Sequence, residues 1–521
     1  MTGMRLDPFR LAAAAGVILL SSDFLIAGGD QTNARGLGMA QAVVASSRGL
    51  ESIGSNPSNL ALPLTGNTRG YVCRAVSHDT TFRYRNLFNI DTVVIVSVSH
   101  DSLVVVRRSP PTVTLSLLPA MARLESNALT AEIYTGHFTR RGRGSLQDPE
   151  YLTDAEKTTI LGLLSDNFVH LELDAGVRLF GIAYNNDAIG AVALTVTDRA
   201  SVHVDLPKDY LRFTFFGLDT LGSSYDFRGT NLRGWYLREY AVSYAHIFPN
   251  VLPGRDFSVG VSLKLVHGFA GVFTDRFNAE FSNTVERDGA TGDIQNYSLR
   301  GLADIRIVRS TSATFSTGKL ALFPAPAGRG LGLDIGLSAE IVPAVRLAAS
   351  LVDLGSIRWF SGTRLTGANG TVEVTNPASS AQADQVVHAI NWVDTTIGEF
   401  TTPLATSVRV GGAIQVDRLA LMHWIPGCWL ITVECRKDFN QSPGNSPHPH
   451  YAIGSEYRPL GWLPLRTGFS YTRASRVRWS AGAGLDLGVL SIDLGTENVK
   501  LLSRQGDYDL VSASIAVTAR L

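Results

Sequence analysis

The feature that most constrains this chain is strict period-two alternation, repeated along its length. Phe257, Val259, Val261, Leu263 and Leu265 alternate with Ser258, Gly260, Ser262, Lys264 and Val266. Leu331, Leu333, Ile335, Leu337, Ala339 and Ile341 alternate with Gly332, Asp334, Gly336, Ser338 and Glu340. Val477, Trp479, Ala481, Ala483, Leu485 and Leu487 alternate with Arg478, Ser480, Gly482, Gly484 and Asp486, and the last residues, Val511 to Leu521, do the same. Such runs give each strand one apolar and one polar face. They are about 10 residues long, enough for a tilted strand to cross a bilayer and longer than the usual strand of about 5–6 residues.

Alternation alone does not separate a soluble sandwich, with its apolar face inward, from a membrane barrel, with that face on lipid. Strand length favours the barrel. So do Trp235, Tyr236, Trp359, Phe360, Trp462 and Trp479, read here as interfacial aromatics. The N-terminus adds a compartment: Arg5 and Arg10 precede the apolar run Leu11 to Leu20, and Leu25-Ile26-Ala27 before Gly28 serves as a cleavage site. Residues 1–27 therefore read as a secretory signal peptide.

Composition excludes several classes. Lys+Arg and Asp+Glu are 46 each, which leaves no electrostatic case for nucleic acid. No apolar run after residue 30 reaches the ~18 residues of a membrane helix. Three Cys make no disulfide framework. Cys428 and Cys435, seven apart on an expected strand, lie roughly 23 Å from each other and cannot bond. Glycine is abundant, 50 of 521 residues. His448 and His450 lack a third ligand at metal spacing and read as a loop. There is no Gly-x-Ser-x-Gly elbow, and the reading is of a non-enzyme without metal or cofactor.

Locally, Thr153 and Glu156 form a capping box that opens a short helix to about Leu164, placed in the lumen or on a rim. Segments 283–296, 363–384 and 438–449 are polar and read as long outer loops. Val93 to Val98 and Leu103 to Val106 look like strands within an otherwise unassigned stretch, 65–111.

Asn33-Ala34-Arg35-Gly36-Leu37-Gly38-Met39-Ala40, followed by Asn56-Pro57-Ser58-Asn59-Leu60-Ala61, resembles the N-terminus of the FadL-like outer-membrane proteins, the superfamily of the long-chain fatty-acid transporter and PorV. Further pieces resemble an uncharacterised branch of that superfamily, a domain of unknown function in the Bacteroidetes–Chlorobi lineage. They include Tyr151-Leu152-Thr153-Asp154-Ala155-Glu156-Lys157, Leu206-Pro207-Lys208-Asp209, Ser350-Leu351-Val352-Asp353-Leu354-Gly355 and Pro464-Leu465-Arg466-Thr467-Gly468. Ser58 and Ala40-Gln41 replace the usual residues, and the chain ends in Leu521 where an aromatic is usual.

The resemblance implies an all-β fold: a transmembrane antiparallel barrel of about 14 strands with an N-terminal lumenal hatch. The domains are then a hatch over 28–64, an insertion over 65–111 and the barrel over 112–521. The location is the outer membrane of a Gram-negative-type bacterium. The implied functions are passage of small hydrophobic molecules or, as the alternative, docking and assembly of secreted or outer-membrane proteins. The partners are membrane lipid and either a hydrophobic small molecule or a protein. Gly36, Gly38, Asn56 and Pro57 are the expected hatch residues, the Asn56-Pro57 bend setting its shape. Asp334, Glu340, Arg346, Arg409 and Arg478 are the expected lumen-facing charges. If the hatch is not the only closure, the 150–165 helix is the next candidate.

Overall fold

The computed structural model describes residues 33–63, 72–73, 79–85, 91–97, 112–128, 152–164, 167–186, 188–217, 223–252, 255–287, 294–313, 324–342, 344–374, 390–419, 422, 426–473, 476–500 and 509–521. The expected signal peptide and the expected strand at 103–106 lie outside these residues. Val93 to Val96 fall within a small three-stranded sheet, Val72–Cys73, Asp79–Arg85 and Asp91–Ser97.

The rest is a closed antiparallel barrel of 14 strands. They are β1 (Thr112–Ser116 and Ala120–Ser126), β2 (Phe168–Asn186), β3 (Gly190–Pro207), β4 (Asn231–Leu252) and β5 (Arg255–Arg287). β6 (Ile294–Thr311 and Gly328–Val342), β7 (Val345–Trp359 and Arg364–Val374) and β8 (Asn391–Thr396, Phe400–Pro403 and Ser407–Gln415) are each interrupted. β9 (Cys428–Asp438), β10 (His450–Leu460), β11 (Leu463–Thr472), β12 (Arg476–Asp486), β13 (Leu490–Thr496) and β14 (Leu510–Arg520) complete the ring. β14 pairs with β1, Thr518 opposite Ser116 and Ile515 opposite Ala120, so the sheet has no open edge at the seam.

The break in β6 does not open the wall. Ser312 N donates to Phe269 O and Ala327 N to Gly268 O, both at 2.7 Å, so β5 stays bonded on either side of the excursion. Three helices complete the described fold: α1 (Ala34–Gly38), α2 (Asp154–Leu163) and α3 (Lys208–Phe216). The capping box of α2 forms as read, with Thr153 and Glu156 exchanging bonds. α2 packs on α3: Lys208 Nζ donates to Leu164 O at 3.0 Å, and Lys157 sits over the Phe216 ring. α2 precedes β2 and α3 follows β3, both on the side of the long connections.

The faces follow the alternation. Leu263, Leu265, Leu331, Ile335 and Leu337 are exposed on the outside, while Ser262, Lys264, Asp334 and Ser338 between them are buried. This is the reverse of a water-soluble protein. Two readings need correction. Trp235 and Trp359 are fully buried inside the ring and are not interfacial; only Phe360, Trp462 and Trp479 are exposed on the outside as that reading required. They turn inward because their positions share the lumenal parity of Glu239 on β4 and Ile357 on β7. The other correction concerns the outer loops. Parts of two of them continue the wall, as Arg364–Val374 and the end of β5, and 439–449 folds back into the barrel mouth.

Candidate functional site

The site is the filled bore. Residues 33–63 run along the inside of the wall, and almost all of them are buried. Their local structure is turn-rich because the sequence supplies caps. Asn33 accepts from Gly36 N at the start of α1, and Ala40 and Gln41 take positive φ, 52° and 66°, to reverse the chain. Asn56 caps a 3₁₀ turn over Pro57–Ala61, with Pro57 in the first position, where it needs no N–H partner.

The wall receives this segment on glycines. A Cβ on Gly482 would come within 3.0 Å of Gly38 Cα, and one on Gly38 within 2.8 Å of Gly482 Cα. A Cβ on Gly454 would meet Met39 O at 2.7 Å, and one on Gly468 the Met39 carbonyl carbon at 2.6 Å. Gly260 lies against the Pro57 and Ser58 backbone, and Gly336 against the Asn56 side chain. The lumenal glycines of the alternating strands are therefore a seat shaped for the segment. Apolar contacts fill in around it: Leu50, Ile53, Leu60 and Ala61 pack on Ala183, Ala191, Ala193 and Ala245.

Polar groups fasten it. Glu434 on β9 accepts from Val43 N at 2.7 Å and Val44 N at 2.8 Å. Asn56 Nδ2 donates to Val44 O at 2.9 Å and to Leu337 O of β6 at 3.3 Å, while its Oδ1 accepts from Ser58. Arg35 donates to Glu456 at 2.7 Å and lies 3.6 Å from Glu51. Burial pushes the Glu51 carboxyl above its ordinary pKa, against the pull of Arg35.

Beyond the segment, the bore holds ion pairs. Lys264 contacts Asp353 and lies 2.9 Å from Asp334, while Arg199 contacts Glu239 and lies 2.9 Å from Asp353. Asp353 is a non-glycine residue at φ 56°, held there as its N–H donates to Asp334 at 2.8 Å. Beside this cluster is a water-sized polar cavity of about 20 Å³, bordered by Gly54, Arg178, Thr195 and Lys264. An apolar cluster shares the bore: Trp235, Leu237, Val266, Ile357, Trp359 and Leu404, with Phe273 and Phe400 packed against it.

The structure places all five expected lumenal charges inside. Asp334 joins Lys264, Glu340 pairs with Arg346 at 3.3 Å, Arg409 lies 3.5 Å from Glu434, and Arg478 contacts Glu125. They fall into separate groups and do not form one site. Of the four expected inner-segment residues, Gly38, Asn56 and Pro57 touch the wall, and Gly36 lies against Asn33. Glu434, Lys264, Asp353 and Arg199 were not singled out from the sequence. The parity of β9, β5 and β3 was the available signal for Glu434, Lys264 and Arg199, whereas Asp353 sits at an irregularity of β7 that breaks the alternation.

A family of unknown function, DUF5723, matches residues 114–496. A search of curated proteins finds no match. Among solved structures, the chain is similar to a deltaS2S3 mutant of the monoaromatic hydrocarbon channel TodX. Identity is 10% and the TM-score 0.41, covering 95% of this chain and 98% of that one. It is also similar to the Pseudomonas putida toluene transporter TodX, at 10% identity and TM-score 0.38 over 95% and 97% of the two chains. For the monoaromatic hydrocarbon channel CymD the values are 10% and 0.35 over 96% and 97%.

Proposed function

Because this chain belongs to DUF5723, a family of unknown function, its role has to be read from the bore itself, and we propose that it is an outer-membrane conduit for small hydrophobic molecules, closed at rest by residues 33–63 acting as a hatch. The apolar outer face supports the membrane reading, since a closed ring leaves no unpaired strand edge to lipid. The observation that carries the conduit reading is the aromatic cluster of Trp235, Phe273, Trp359 and Phe400 inside a bore that also holds the Lys264–Asp353 ion pairs. An apolar solute would rest there and not among Lys264, Arg199 and their carboxylates, because their desolvation would cost several kcal/mol.

Polar contacts that can be exchanged for water, among them those of Glu434, Asn56 and Arg35, fasten the hatch to the wall, and the glycines it sits on present no side chain to interlock with it. Movement of the Asn56-Pro57 turn would free the seat at Gly260 and Gly336 first.

A second reading is a docking or assembly barrel. It is favoured by how thoroughly residues 33–63 are buried inside the ring. Entry of a fluorescent apolar probe into cells that make the chain, compared with cells that lack it, separates the two. Faster entry, slowed again by Trp359→Arg, is the expected result. Equal entry in both cell types would reject the conduit and leave the docking reading.

A further inference from the structure

The loop between β9 and β10, residues 439–449, lies on the side of the long connections and spans the barrel there. In a ring of 14 strands β9 is six places from β3 in one direction and eight in the other, so the two stand almost diametrically apart. Yet the loop reaches that far wall. Arg233 on β4 contacts Gln441 O, and a Cβ on Gly444 would lie 3.2 Å from Ser201 Oγ on β3 and 3.9 Å from Asp174 Oδ1 on β2.

On the near side it is pinned to β8. Asn440 Nδ2 donates to Leu404 O at 2.6 Å, Ser442 Oγ to Pro403 O at 2.9 Å and Asn445 Nδ2 to Thr406 O at 3.1 Å. These carbonyls belong to the segment whose Leu404 packs in the aromatic cluster. The loop is shaped from within by Arg436, which donates to Asp438 at 2.7 Å and to Asn445 Oδ1 at 3.0 Å, while Asp438 accepts from Ser446 N at 2.8 Å. Ser442 and Asn445 are buried, and Gly444 takes φ 87°, a conformation that suits glycine.

We propose that residues 439–449 form a second, outer gate that closes the bore independently of the hatch, so that passage requires both to open. The inference rests on the reading of the barrel as a conduit. Its physical basis is that the two closures use different wall residues. The loop bonds to Arg233 of β4 and to the Pro403–Thr406 carbonyls of β8 and lies against Ser201 of β3, whereas the hatch sits on glycines of β5, β6, β10, β11 and β12. Between them lies the Lys264–Asp353 cluster. Breaking either closure leaves the other in place.

The test is ion conductance in planar bilayers for four chains: the parent, one lacking residues 33–55, one with 440–448 replaced by a short Gly-Ser turn, and one with both changes. Heat-modifiable migration on gels checks that each has folded. The parent and both single variants should stay near the closed level, and the double variant should conduct. Full conductance on removing 33–55 alone would overturn the outer gate while leaving the conduit reading intact. A folded double variant that does not conduct would overturn both.

If the loop replacement does not fold, Arg436→Ala with Asn445→Ala in the chain lacking 33–55 should open it by releasing the latch. In that open chain, with Cys73, Cys428 and Cys435 changed to Ser, Ser201→Cys with Gly444→Cys supplies a lock, since the two Cβ positions lie 3.9 Å apart, within disulfide range. Oxidation should close the bore and reduction reopen it. Conductance indifferent to oxidation, with the bond shown to form, would place the loop outside the ion path and refute the gate.

Discussion

Glu434→Ala should unseat the inner segment without dissolving the barrel. Glu434 is buried on β9, and one carboxylate oxygen accepts from both Val43 N and Val44 N, at 2.7 and 2.8 Å. The other faces Arg409 at 3.5 Å. Val43 N keeps its bond to Gln41 O at 2.9 Å, so truncation leaves Val44 N unpaired at about 1–3 kcal/mol, and the seat weakens by about that much. With about 1.4 kcal/mol per tenfold, amide exchange over residues 41–47 should quicken about 5- to 150-fold. Glu434→Gln keeps an acceptor and loses only the charge assistance, about 1 kcal/mol and roughly fivefold in rate. Hydrogen exchange read by mass spectrometry on the detergent-solubilised chain measures both, with a β4 peptide as the internal reference. Unchanged exchange over 41–47 in Glu434→Ala would refute the fastening. So would an equal acceleration of β4, because the barrel itself would then have loosened.

Three further outcomes follow from the same geometry. Gly468→Val would drive a side chain into the Met39–Ala40 backbone, so protease should cut within 33–63 while the barrel keeps its heat-modifiable migration; full protection would contradict the glycine seat. Leu263→Arg, in the outward apolar band at 63% exposure, should cost about 2–4 kcal/mol in urea titrations of folding into lipid vesicles, and a cost near zero would mean that this face does not meet lipid. Lys264→Met leaves Asp334 without its cation inside the bore, while Asp353 keeps Arg199, and should cost about 3–5 kcal/mol in the same titration, whereas Arg358→Ala, an exposed partner of Glu399, should cost about 0–1.

The structure also changes one expectation about the lumenal face. From the alternation, Ser338→Arg reads as a mild change toward a wet channel. Ser338 is instead buried, with Arg346 NH1 at 3.4 Å, so a second guanidinium there meets both crowding and like charge. Polar parity says which way a side chain points and says nothing of what fills the space it points into.

The sequence alone determined the barrel. Period-two runs such as Phe257 to Val266 and Leu331 to Glu340 assign every side chain to one of two faces, because successive residues of a strand must point oppositely. Their length and apolar face then admit few folds, and the capping box at Thr153 is a local event that needs no partner from elsewhere. What only the tertiary structure decided is how the interior is occupied. Gly260 and Gly336 are ordinary polar-face residues until the Asn56-Pro57 turn, some 200 residues or more earlier in the chain, is laid on them. Trp235 and Trp359 look like interfacial aromatics until strand register brings them together inside the ring. Residues 439–449 have the composition of an outer loop, and only the closed ring supplies Ser201 and Arg233 as a far wall for them to reach. Local pattern fixes facing because facing is a property of one strand; filling a bore depends on contacts between residues whose spacing in the chain carries no period.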